Sequence, residues 1–277
     1  MKTFVLCVLL VGGVSAVAAP FTLKDKLVEV AVDAKGNLVM LKNLQTGHDY
    51  AGGRPLWRLY FDRKNGEHEI EVRGAENTPK IRREGNRIVL QYDSLKVRNS
   101  SVKMQLALAV SLENGVARFG SRLSNDEPAT IIREWQYPLV GKCQLPEDHR
   151  LLTTFRGGQL YSDSQKKIIS AANNPPYKAP GQLYRQMGLK YPGSTSANCF
   201  ALVGTAQGLY FGSHDPTFQD TWHGLRLYPD ASGAFTELEF GLYKYPNCVK
   251  GQSWACDANV IAPYSGTWHQ TSKIYRQ

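Results

Sequence analysis

Period-two alternation is the feature that most narrows what this chain can become. Between Leu27 and Asp33, the residues Val28, Val30 and Val32 alternate with Leu27, Glu29, Ala31 and Asp33. A step of two places every second side chain on the same face of a strand. The pattern returns at Leu38–Leu41, Leu56–Phe61, Glu67–Arg73, Arg87–Tyr92, Val102–Leu112, Val116–Leu123 and Thr236–Leu242. Turn chemistry separates the runs, at Ala34-Lys35-Gly36-Asn37, at Glu84-Gly85-Asn86 and at Glu113-Asn114-Gly115. The last is an Asn-Gly link of the kind that closes a hairpin. The first half of the chain has no sustained apolar period near 3.6. Strands of this length joined by turns predict an all-β, antiparallel sandwich or barrel, with helix confined to the carboxyl end. A length of 277 residues accommodates one large domain of that kind.

The two ends read differently. Met1-Lys2, the apolar run Phe4–Val11 and Ala16-Val17-Ala18 have the layout of a cleaved export leader over residues 1–18, and the apolar run is too short for a spanning helix. The mature chain is expected to be secreted or periplasmic, with no membrane contact once the leader is removed. Residues 19–263 carry the strand pattern. In residues 264–277, Thr267 and Gln270 are spaced as a capping box, and Trp268, Ser272 and Tyr275 share one helical face. This stretch reads as the start of a linker helix toward a further domain.

Composition excludes more than it selects. The net charge of +9 is carried by basic residues scattered singly, apart from Arg82-Arg83 and Lys166-Lys167. That scatter argues against a nucleic-acid surface and leaves either a solvated basic exterior or an acidic polysaccharide partner. Cys143, Cys199, Cys248 and Cys256 remain after the leader. They allow two disulfides, with Cys248–Cys256 the simplest local pair, or four buried thiols. There is no CxxC pair and no cysteine at zinc-ligand spacing from a histidine, so neither metal nor cofactor is expected.

The candidate site centres on Asn198–His223. Phe200–Val203 reads as a buried strand, Gly204–Gly208 as a turn, and Leu209-Tyr210-Phe211 as the return strand ending at His214-Asp215-Pro216. Polar groups collected beside rings at a strand end suit a sugar, whose C–H face needs an aromatic surface and whose hydroxyls need donors and acceptors. The expected substrate-binding set is Tyr210, His214, Asp215 and Trp222, with Trp135 and Tyr137 lining the same cleft. The competing account puts Trp135 in the core and leaves Asp215-Pro216 as a plain turn. For catalysis, glycoside cleavage needs two carboxyl groups across the bond. Glu237 and Glu239 share a strand face, but alternating charge is what a solvated strand shows, so no catalytic residue is assigned.

Several short motifs carry a family likeness. The stretch Asn198–Asp215, with Gly208-Leu209-Tyr210 and Gly212-Ser213-His214-Asp215, resembles the amino-terminal sandwich of bacterial glycoside-hydrolase-like proteins. Those are the α-galactosidase-like chains and a related group of unassigned function. Trp135-Gln136-Tyr137-Pro138 and Tyr264-Ser265-Gly266-Thr267-Trp268-His269, followed by Ile274-Tyr275-Arg276, agree with it. The resemblance implies a galactose-mutarotase-like β-supersandwich that precedes a catalytic (β/α)8 barrel, which is not in this sequence. It implies a carbohydrate-binding or scaffolding module. The alternatives are a stand-alone glycoside hydrolase or aldose epimerase, and a fragment without separate activity.

Overall fold

Two large antiparallel sheets face each other across an aromatic core in the structure, a computed structural model that describes residues 19–172 and 185–277. The proposed leader, residues 1–18, and the Asn-Pro-rich stretch from 173 lie outside the described residues. Among the described residues, the nine-stranded sheet runs in the order Gln159–Tyr161, Arg150–Phe155, Thr195–Val203, Gln207–Ser213, Gln252–Ser265, Val116–Asn125, Met104–Glu113, Arg87–Tyr92 and Lys80–Glu84. The seven-stranded sheet runs Arg185–Tyr191, Thr221–Pro229, Phe235–Lys244, Thr130–Val140, Arg58–Arg63 and Ile70–Arg73, with Cys248–Val249 pairing alongside Thr130–Val140. A four-stranded sheet built from Phe21–Lys24, Val28–Val32, Asn37–Asn43 and Arg54–Pro55 closes one side.

Each strand's alternation decides what enters the core. Leu106, Leu108 and Val110 point inward from Met104–Glu113, while Gln105, Ala107 and Ala109 point outward. Phe211 of the nine-stranded sheet stacks on Phe240 of the seven-stranded one at 4.6 Å, and Phe200 stacks on His223 at 4.7 Å. Trp135 Nε1 donates to Ser121 Oγ at 3.1 Å, and the Tyr137 hydroxyl donates to the Ala109 carbonyl at 3.1 Å. These bonds cross between the sheets and satisfy polar tips that would otherwise be buried without partners.

Further features complete the sheets. Trp135-Gln136-Tyr137-Pro138 lies inside the central strand Thr130–Val140. Pro138 is tolerated because the pairing with Phe235–Lys244 slips between Gln136 and Leu139, a bulge where no ladder N–H is required. Beyond Asp215-Pro216, Thr221–Pro229 crosses to the other sheet and becomes an interior strand there. Helix is not confined to the carboxyl end. Helix α1, Ser164–Ala172, begins after Asp163, whose side chain accepts the Lys166 N–H at 2.8 Å as an N-cap does, and it buries Ile168.

The tail forms helix α2, His269–Tyr275, but without the expected capping box. Thr267 Oγ1 pairs with the His269 ring at 3.1 Å instead of capping the helix. The inward face is Thr271 and Ile274, not the Trp268–Tyr275 stripe, because the helix lies on the outer surface of the nine-stranded sheet. There Ile274 completes a second core with Cys199, Ala201, Val203, Val260 and Ala262. Burial against a sheet stabilises a helix too short to hold itself. The Cys248–Cys256 bridge is not formed: all four described cysteines are buried free thiols. Cys248 pairs in register with Ile132 and Cys256 with Ser121, on different sheets. Burial pushes the Cys199 thiol up to about 12.

Candidate functional site

The six expected ligand-binding residues do not share a cleft. Trp135 and Tyr137 are fully buried between the sheets, and Tyr210 is fully buried beneath α2. None of the three has a ring face left for a ligand. His214 sits on the outer side of the nine-stranded sheet, paired with the Tyr210 hydroxyl at 2.6 Å and edge-on to Tyr275 of α2. Burial, and secondarily the charge of Arg118, lowers its pKa from 6.5. Asp215 is the counterion of Lys244, whose ammonium is fully buried, at 3.2 Å. Burial raises the Asp215 pKa, but bonds from Thr217 and Lys244 outweigh it and hold the carboxyl below the ordinary value. The break after the return strand therefore anchors structure. Trp222 lies on the outer face of the opposite sheet, so it cannot act with His214.

Around Trp222 the seven-stranded sheet assembles a different constellation. Leu225 and Leu227 point into the core from Thr221–Pro229, so Trp222, Arg226 and Tyr228 point out. The register sets Arg226 opposite Glu239, Trp222 opposite Tyr243, and Gln136 opposite both Tyr243 and Arg58. Facing side chains on adjacent strands lie about 5 Å apart at Cβ, close enough to interact directly.

Arg58 is the hub. Its guanidinium meets Glu239 through two bonds, Nη1 to Oε1 at 3.1 Å and Nη2 to Oε2 at 3.2 Å. It also reaches Gln136 Oε1 at 2.9 Å, the Tyr228 hydroxyl at 3.1 Å and Glu71 at 3.1 Å. Arg226 donates to the same Gln136 oxygen at 3.2 Å and to Gln186 at 2.8 Å, and its guanidinium lies 5.2 Å from the centre of the Tyr243 ring. The side chains of Arg58, Arg226 and Glu239 are only 14%, 4% and 8% exposed. Burial alone would lower the Arg58 pKa, but Glu239 and then Tyr228 raise it above the ordinary arginine value. Glu239 is thus no solvated strand residue. Its neighbour in phase, Glu237, is tied to Arg54 at 3.3 Å and Lys142 at 2.8 Å.

Half-buried rings surround this clamp: Tyr60, Trp222, Tyr228 and Tyr245. Trp222 lies down on the sheet because the facing strand has Gly188 there. A Cβ at Gly188 would stand 2.5 Å from the indole. One face of the indole is thus packed against Gly188. Glu134 accepts a hydrogen bond from Gln136. Its carboxyl is pushed up chiefly by burial, with Gln136 and the charge of Arg226 opposing. Chemically, the face offers fixed donors and acceptors beside rings. The carboxylates of Glu71 and Glu239 are both bound to Arg58, which engages their oxygens in holding the guanidinium. Arg58, Gln136, Arg226 and Tyr228 are not marked out by spacing along the chain because they lie up to 170 residues apart. Only the register brings them together. Among the described residues no group of three His, Cys, Asp or Glu is placed to hold a metal, and no helix is long and apolar enough to cross a membrane.

No family model matches the sequence, and no curated protein matches it. Solved structures do. An α-N-acetylgalactosaminidase, NagBb, from Bifidobacterium bifidum aligns over 94% of this chain and 38% of its own, with a TM-score of 0.61 and 11% identity. The GH36 α-galactosidase AgaB from Geobacillus stearothermophilus aligns over 92% and 41%, with a TM-score of 0.55 and 10% identity. Slr1438 from Synechocystis sp. PCC 6803 aligns over 90% of this chain and 96% of its own, with a TM-score of 0.51 and 11% identity. The chain spans about two fifths of the length of the two glycosidases. At such identities the likeness is one of fold. The fold is a large antiparallel β-supersandwich, shared with the aligned two fifths of those longer glycosidases.

Proposed function

We propose that this chain is an exported carbohydrate-binding module whose recognition surface is the outer face of the seven-stranded sheet. The observation that carries the reading is the Arg58–Glu239–Gln136–Arg226 clamp bordered by Trp222, Tyr228, Tyr60 and Tyr245. The Trp222 indole supplies a stacking surface for a sugar's C–H face. The prearranged amide, hydroxyl and guanidinium groups meet its hydroxyls at low ordering cost. Arg58 and Arg226 both lie against Glu239, so the face is suited to a hydroxyl-rich chain more than to a uronate or sulfated glycan. The sugar-active names of the structural neighbours support the ligand class, and their greater length supports a catalytic domain as a working companion.

Binding without cleavage is the favoured chemistry. Hydrolysis needs one carboxyl to attack or activate water and another to donate a proton. Here two of the three carboxylates nearest the clamp are neutralised by the same guanidinium. The test is calorimetry of the purified mature chain against a panel of neutral and acidic polysaccharides, beside a reducing-sugar assay. Binding that weakens on Trp222→Ala with no sugar released supports the module. Turnover abolished by Glu134→Gln overturns it in favour of an enzyme, and loss of all binding across the panel overturns it outright.

A further inference from the structure

A cleft lies away from that face, at the junction of the four-stranded sheet, the Asn114-Gly115 turn, the end of the strand Gln252–Ser265, and α2. These segments enclose a cleft of about 260 Å³. At ~30 Å³ per water that is the space of about nine waters, enough for one six-membered sugar ring. Thirteen residues line it; five are Asn or Gln and none has a charged side chain. In a chain with 33 Lys and Arg and 24 Asp and Glu, an uncharged lining of this composition is itself informative.

The amides divide into two groups. Asn43 is committed to the fold: its Oδ1 accepts the N–H groups of Gln45 and Thr46, and its Nδ2 donates to Ser265 Oγ at 3.2 Å. It fixes the wall where the two sheets meet. Gln45, Asn114 and Gln270 line the same cleft with no side-chain hydrogen bond among the described residues. Asn114 is held in place by the turn, where its own φ is 51° and that of Gly115 is 79°, and where the Gly115 N–H donates to Asp25 at 2.6 Å. Val116, Ala262 and Pro263 form an apolar floor.

We propose that this cleft binds a single neutral glycosyl unit. A carboxamide both donates and accepts, as does a sugar hydroxyl, so uncommitted amides around an apolar floor match a ring with hydroxyls at its edge. The missing charge selects against uronates and phosphorylated sugars, because an anion there would lose its hydration with no cation to replace it. The site shares no residue with the sheet face and stands or falls separately from it.

Saturation-transfer NMR with D-glucose, D-galactose and D-mannose as neutral probes, and D-galacturonate as the charged one, tests the assignment. The expected result is binding of at least one neutral hexose and weaker or no binding of the uronate. The triple variant Gln45→Ala/Asn114→Gly/Gln270→Ala keeps the left-handed turn and should weaken that binding roughly tenfold, the loss of one to two hydrogen bonds. Trp222→Ala should leave it unchanged. Gln270→Ala alone serves as the second probe and should weaken it by a smaller factor than the triple variant. Failure of every neutral hexose to bind overturns the proposal. So does binding untouched by the cleft variants, or equal binding of galacturonate.

Discussion

Replacing Glu239 with glutamine keeps the side chain's shape and removes its charge from between two buried guanidinium groups. Arg58 loses one of its two carboxylate partners and keeps Glu71 at 3.1 Å, while Arg226, 3.9 Å from Glu239, loses the anion beside it. Breaking one side of a buried ion pair costs about 3–5 kcal/mol, and the surviving Glu71 contact places this variant near the lower end. A loss of about 3 kcal/mol corresponds to a fall of about 6–12 °C in Tm for a domain of this size. Arg58→Met should cost a similar amount. The double variant should cost less than the sum of the two, with a coupling of about 2 kcal/mol, because no charge is then stranded. The assay is thermal unfolding followed by circular dichroism, with urea melts to give the free energies. A Tm within about 2 °C of wild type for Glu239→Gln, or strictly additive variants, would refute the clamp as drawn, since surface pairs behave that way.

Other outcomes follow from the same geometry. Gly188→Ala places a methyl 2.5 Å from the Trp222 ring, so the indole must tilt and its fluorescence emission shift, with sugar binding weakened as in Trp222→Ala. His223 is buried against Phe200, and burial lowers its pKa from 6.5 to about 4. Between those values the unfolded chain binds a proton that the folded one refuses, so stability falls as pH drops through the window, by about 3 kcal/mol in total. Urea melts from pH 7 to 4 on wild type and His223→Phe should show that difference, and parallel curves would contradict it. Ile274→Ala, which opens the second core under α2, should cost about 2 kcal/mol by urea denaturation and increase binding of a hydrophobic dye.

The strands were legible where one face is apolar and the other is wet. Val28–Val32, Met104–Glu113 and the hairpin into Val116–Asn125 follow directly from alternation and an Asn-Gly turn. Thr221–Pro229 was not legible for the opposite reason. Its inward face includes His223 and its outward face carries Gly224 and a buried arginine, so the hydropathy contrast that marks a strand is erased. Trp135-Gln136-Tyr137-Pro138 hid because a bulge excuses the proline. The site was only partly visible. Trp222 stands out as a residue, but Arg58, Gln136 and Glu239 acquire their meaning from register across three strands, which spacing along the chain does not encode. The same holds for His214 and Asp215, which look like a recognition pair until Tyr210 and Lys244 are seen to occupy them.

The most direct test of the proposed recognition face is to map it with a bound sugar. A neutral oligosaccharide that the chain binds in the polysaccharide panel should be titrated into isotope-labelled protein, with the Trp222 indole N–H and the backbone amides as reporters. The shifted signals should cluster on Trp222, Arg226, Tyr228, Tyr60 and Tyr245, on the outer face of the seven-stranded sheet. Shifts confined to the surroundings of His214 and α2, with the Trp222 signal unmoved, would contradict it.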